Sequence, residues 1–135
     1  MSKSFWLAVG AYLLPTFPLG YVWHLVAFAD RYRELALYRT EVIIPLGLAA
    51  MTIQAVIFAA VYPRLVDTGR RAWLGSAARF GIVAAVLAWS FTTLPVAAKY
   101  QMSSVPAFLL LETGFTLLHF AIVSPLIALA YRKPA

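Results

Sequence analysis

SSVPAFLLLETGFTLLHFAIVSPLIALAY, residues Ser103–Tyr131, is a long apolar run that carries Glu112, Thr116 and His119. The spacing of four and then three residues puts these side chains on one face of a helix. The 19 residues of Thr113–Tyr131 nearly suffice to cross a bilayer unaided, since a hydrocarbon core of about 30 Å divides by a rise of about 1.5 Å per residue. An ionisable side chain in such a run is costly unless it meets a partner or a water-filled cavity. Glu112, His119 and Thr116 are therefore candidates for lining a pathway or a ligand site.

The composition points the same way. Of 135 residues 63% are hydrophobic and 12% are charged, and the mean hydropathy is +0.83; a soluble domain has a charged fraction of about 25%. Lipid is the expected solvent, and one domain, 1–135, uses the whole chain. The formal charge of +6 does not indicate nucleic acid, because the Lys and Arg residues sit at the ends of apolar runs and form no basic face with interleaved aromatics. The chain has no cysteine, which removes disulfides and thiolate metal sites.

Four spans follow, at about 5–29, 42–63, 77–98 and 106–131. The first is 26 uncharged residues long from Ser4 to Ala29, too long for the apolar part of a signal peptide, so it reads as a retained span. Pro15 and Pro18 each remove a backbone donor, which predicts a kink or unwound turn near mid-membrane. His24 follows towards the far end, beyond the centre of the bilayer. Residues 30–41 are charged and read as a connection lying in the headgroups with its arginines snorkelling. The second span has Gln54 at its middle, able to donate and accept across helices. The basic loop 64–79 contains Arg64, Arg70 and Arg71, which fit lipid headgroups or topology signals. Ala77, Gly81 and Ala85, four residues apart, give the third span a face suited to close helix packing, against another span or another copy of the chain. Ser90 lies near mid-membrane. The fourth span starts at Pro106, with a serine cap before it, and is expected to be interrupted at Pro125.

The architecture expected is an all-α integral membrane protein, a four-transmembrane-helix bundle. Seven Lys or Arg residues on the side of the termini against four on the other place both termini in the cytoplasm, of an inner membrane if the source is bacterial. Depth along the helices sorts the polar residues into two levels. His24 and Glu112 fall in the outer part and can pair, while Gln54, Ser90 and His119 fall near the middle.

No metal site is expected, because Glu112 and His119 are seven residues apart on one helix and about 10 Å of rise separates them. Haem held between His24 and His119 is the one cofactor that two histidines in a bundle would allow. The function expected is binding or passage of a small solute or ion through the bundle, with proton coupling at Glu112, in a homo-oligomer. The alternatives are a non-catalytic accessory or assembly subunit of a larger membrane complex, and an enzyme that uses His24 and Glu112 as acid and base on a lipid-soluble substrate.

Overall fold

A computed structural model describes residues 2–69 and 71–132; Arg70 and Lys133 lie outside them. Four helices are long and apolar enough to cross a membrane: Lys3–Ala27, Ile44–Leu65, Trp73–Lys99 and Val105–Tyr131. They contain α1 (Lys3–Val22), α3 (Ile44–Leu65), α4 (Trp73–Ala88) followed by α5 (Leu94–Lys99), and α6 (Val105–Tyr131), with the short α2 (Ala29–Glu34) between the first two spans. No strand occurs among the described residues. Helix ends carry the expected devices: the Ser2 side chain accepts from Phe5 N–H at the start of α1, Ser104 accepts from Ala107 N–H at the start of α6, and Pro106 occupies the first turn of α6.

α1 continues past Pro15 and Pro18 with no unwound turn, and α6 continues past Pro125 without the expected interruption. In lipid the remaining backbone groups have no alternative partner, so the ladder persists around a missing donor. The departure from α-geometry falls later, in a π-helical turn at Trp23–Ala27, where Phe28 N–H reaches back to the Trp23 carbonyl at 3.1 Å. A second π turn, Trp89–Thr93, links α4 to α5. Such turns widen the helix and re-aim its side chains, and they recur at functional sites.

α1 and α6 form the central pair; α3 packs on α1, and α4 on α6. Small residues at the contacts, Ala8, Ala55, Ala59, Ala77, Ala84 and Ala128, let the backbones approach, and Tyr12, Tyr62, Phe80, Phe120 and Ile127 fill the space between. Without a hydrophobic driving force between helices in lipid, this packing and the interhelical hydrogen bonds carry the association. Residues 44–50 of α3 are exposed throughout and present an apolar surface to the surrounding medium.

The small-residue face of the third span is occupied within the chain. A Cβ on Gly81 would stand 2.7 Å from Ser124 Oγ and 3.1 Å from Ser124 Cβ, so α4 and α6 meet at a distance only glycine allows. Ala77 is buried there and Ala85 is half-buried. At the end of the bundle that carries the termini, Arg64 bonds the Ala60 carbonyl, Arg71 is exposed, and Arg132 lies over the Trp73 ring.

Gly81→Ala is expected to lower stability by about 1–3 kcal/mol through overpacking. Adding Ser124→Ala should recover part of that, because Ser124 Oγ is buried without a partner. Unfolding in mixed detergent micelles measures both, and a neutral Gly81→Ala would contradict the contact.

Candidate functional site

The end of the bundle opposite the termini is closed by the segment that follows span one. α2 lays Tyr32 (0% exposed) and Leu35 (2%) against Phe108 of α6, with Trp23, Phe28, Val96 and Met102 around them. Ala36, at φ 56°, is the non-glycine residue in the left-handed region that turns the chain after α2. Ser103 then ties the neighbouring connection to it, its N–H donating to the Leu35 carbonyl at 3.2 Å and its hydroxyl to the Glu34 carbonyl at 2.8 Å. Of residues 30–41 only Tyr32 and Leu35 are buried, as a small cap; the others are exposed or half-buried, as a connection lying in the headgroups would be. Their arginines do remain outside: Arg31 pairs with Glu34 and Arg33 with Asp30, both exposed.

Under this cap sits Glu112, the one acidic residue within the four span helices. Its Oε1 accepts the Tyr32 hydroxyl at 2.6 Å and faces His24 Nε2 at 3.4 Å. The π turn places His24 so that Nδ1 lies 2.9 Å from the Gly20 carbonyl. A carbonyl only accepts, so Nδ1 carries the hydrogen of that bond. Nε2 is then left towards Glu112, and a favourable contact there needs one further hydrogen, on the imidazole or on the carboxyl. Burial, and then the adjacent Glu112, push the Tyr32 phenol far above its usual pKa, and the same causes raise Tyr38. Both phenols therefore stay protonated, and Tyr32 remains the donor to Glu112. The Tyr38 ring stacks on Tyr32 at 4.8 Å and 10°.

Three cavities meet at this cluster. The first, of about 620 Å³, is apolar and lies between α1 and α3, lined by Phe17, Tyr21, His24, Tyr38, Ile43, Met51 and others. The second, about 350 Å³, is lined by His24, Leu37, Tyr38, Thr92, Thr93, Val96, Tyr100, Phe108 and Glu112. The third, about 420 Å³, includes Tyr32, Arg33, Arg39 and Thr40. His24 and Tyr38 line all three.

The second polar level lies deeper and is built differently. His119 is buried and its Nε2 is 2.8 Å from Thr16 Oγ1 on α1. Tyr12 donates to Gln54 Oε1 at 2.7 Å, joining α1 to α3. The Tyr12 ring meets the His119 ring edge-on at 5.3 Å, and Phe115 stacks on His119 at 5.6 Å while also contacting His24 at 4.5 Å. Both histidines weighed as haem ligands thus hold a polar partner, with Phe115 packed against the two rings. Thr116 is buried, and Ser90 bonds back to the Leu87 carbonyl of its own helix. None of the three cavities at His24 is lined by His119, Thr116, Gln54 or Ser90. The structure therefore brings Glu112 to His24 and separates both from His119, although Glu112 and His119 face the same helix, α1.

Tyr32, Tyr38, Thr93 and the two π turns did not stand out in the sequence. A tyrosine among arginines reads as an interfacial anchor, and it is the break at Phe28 before α2 that turns Tyr32 inward.

These features define a class, a multi-pass helical membrane protein whose most polar cluster closes one end of the bundle. Comparison with known protein families, with curated proteins and with solved structures returned no match.

Glu112→Gln keeps an acceptor for Tyr32 and should cost less than about 1 kcal/mol. Glu112→Leu leaves the Tyr32 hydroxyl without its acceptor and His24 Nε2 without its polar neighbour, and should cost about 1–3 kcal/mol. Thermal unfolding of the two variants decides it, and equal losses would mean that Glu112 holds no such cluster together.

Proposed function

We propose that the protein binds a small solute at the His24–Glu112–Tyr32 cluster. The carrying observation is the placement of His24 and Glu112 in the wall of the 350 Å³ chamber, with the histidine fixed on its far side by the Gly20 carbonyl. Binding at one end is better supported than passage through the bundle, because the deeper level is closed by Tyr12, Gln54, Thr16 and His119 bonded in pairs. With both termini cytoplasmic, as the distribution of Lys and Arg favours, the cluster faces the outer side of the membrane.

The second reading, an accessory subunit whose polar residues hold helices together, is favoured by that same deeper level and by Trp89 Nε1 donating to Thr113 Oγ1 at 3.0 Å. Interhelical bonds of this kind contribute roughly 0.6 kcal/mol each, enough for cohesion and independent of any solute.

The chain has no native cysteine, so single cysteines report water access directly. A membrane-impermeant maleimide is expected to label cysteines at Leu37 and Tyr100, in the chamber wall, and to leave cysteines at Thr116 and Gln54 unlabelled. Labelling at all four sites would establish an aqueous path and favour passage. No labelling at Leu37 or Tyr100 would remove the binding site and leave the accessory reading.

A further inference from the structure

The chamber beside Glu112 has a chemistry narrower than that of a general solute pocket. Its wall brings together one carboxylate, three aromatic rings (Tyr38, Tyr100 and Phe108) and Thr93. Thr93 is 2% exposed, and its buried Oγ1 has no hydrogen-bond partner among the described residues. No Lys or Arg lines this chamber; Arg33 and Arg39 line the cavities on the other side of His24 and Tyr38. The Tyr32 hydroxyl and His24 both approach Oε1 of Glu112, so Oε2 is the carboxylate oxygen left for another donor. A volume of about 350 Å³ is at the small end of ligand sites, which run from ~300 to ~1,000 Å³.

Glu112, once ionised without the hydrogen it can share with His24, is a carboxylate among aromatic rings and attracts a cation twice over, through its charge and through the negative ring faces. The rings exclude inorganic ions, which keep their water, and favour a cation clothed in carbon. We propose that this chamber is a site for a small organic cation, an alkyl- or arylalkyl-ammonium, with Glu112 as its counter-charge. The proposal rests on the solute-binding reading above and specifies its ligand class. An anionic amphiphile is the opposite case and would use Arg39 and the 620 Å³ apolar cavity.

The test uses benzyltrimethylammonium as probe, with neopentylbenzene as its uncharged isostere and benzenesulfonate as the anion, titrated into the full chain in nanodiscs and followed by equilibrium dialysis. Saturable binding of the cation at one per chain is expected, with neither control competing. Glu112→Gln, which keeps the Tyr32 acceptor, should weaken it at least ten-fold, Tyr38→Leu at least three-fold, and Arg39→Gln less than two-fold. Equal binding of neopentylbenzene, preference for benzenesulfonate, or undiminished cation binding in a folded Glu112→Gln variant would overturn the proposal. Absence of cation binding while cysteines at Leu37 and Tyr100 still label would defeat the cation assignment and leave the solute-binding reading standing. Absence of both binding and labelling would defeat the two together.

Discussion

A carboxyl group in the wall of a membrane bundle must be given polar partners or remain a standing cost, and Glu112 has the Tyr32 hydroxyl as a hydrogen-bond donor and His24 Nε2 at 3.4 Å. Most of what is particular in this fold can be traced to supplying them. The π turn at Trp23–Ala27 aims His24 at the carboxylate and lets its other nitrogen hold the Gly20 carbonyl. The break at Phe28 turns α2 and its Tyr32 towards Glu112, the turn at Ala36 follows it, and Ser103 fastens the end of α2 to the neighbouring connection. Two segments distant in sequence, 20–35 and 103–112, are thereby drawn to one end of the molecule.

The two polar levels show how the same residue types serve different ends. At mid-depth Tyr12 pairs with Gln54 and Thr16 with His119 across neighbouring helices, and aromatic rings fill what space remains around His119. This is the arrangement expected of cohesion in lipid, where a modest hydrogen bond replaces an unsatisfied group. At the capped end His24, Glu112 and Thr93 instead border open volume, and two buried atoms there, Trp23 Nε1 and Thr93 Oγ1, have no hydrogen-bond partner among the described residues. A cluster with spare hydrogen-bonding capacity beside a cavity is suited to receiving something; a fully paired one is not.

Much of this fold was legible in the chain. Uncharged runs and their charged ends place the spans to within a few residues of Lys3–Ala27, Ile44–Leu65, Trp73–Lys99 and Val105–Tyr131. Helical rise converts position to depth, which puts His24 and Glu112 on one level and Gln54 with His119 on another. The same reasoning could not assign contacts made by irregular backbone. Tyr32 and Tyr38 sit outside the spans, where no period constrains them, and their approach follows from the break at Phe28 and the left-handed Ala36. Pro15 and Pro18 unwind no turn and Pro125 does not interrupt α6, because a proline specifies a missing donor but not how the surrounding ladder adjusts. Ala77 and Gly81 announced a close contact, yet only the packing against Ser124 shows that the partner is in the same chain.

The central claim is that the Gly20 carbonyl takes the hydrogen on His24 Nδ1, leaving Nε2 to face Glu112. Nitrogen-15 NMR of His24 in bilayers tests it most directly. Nδ1 should carry a hydrogen bonded to the Gly20 carbonyl. A His24 with its hydrogen on Nε2 and a bare Nδ1 would contradict the account.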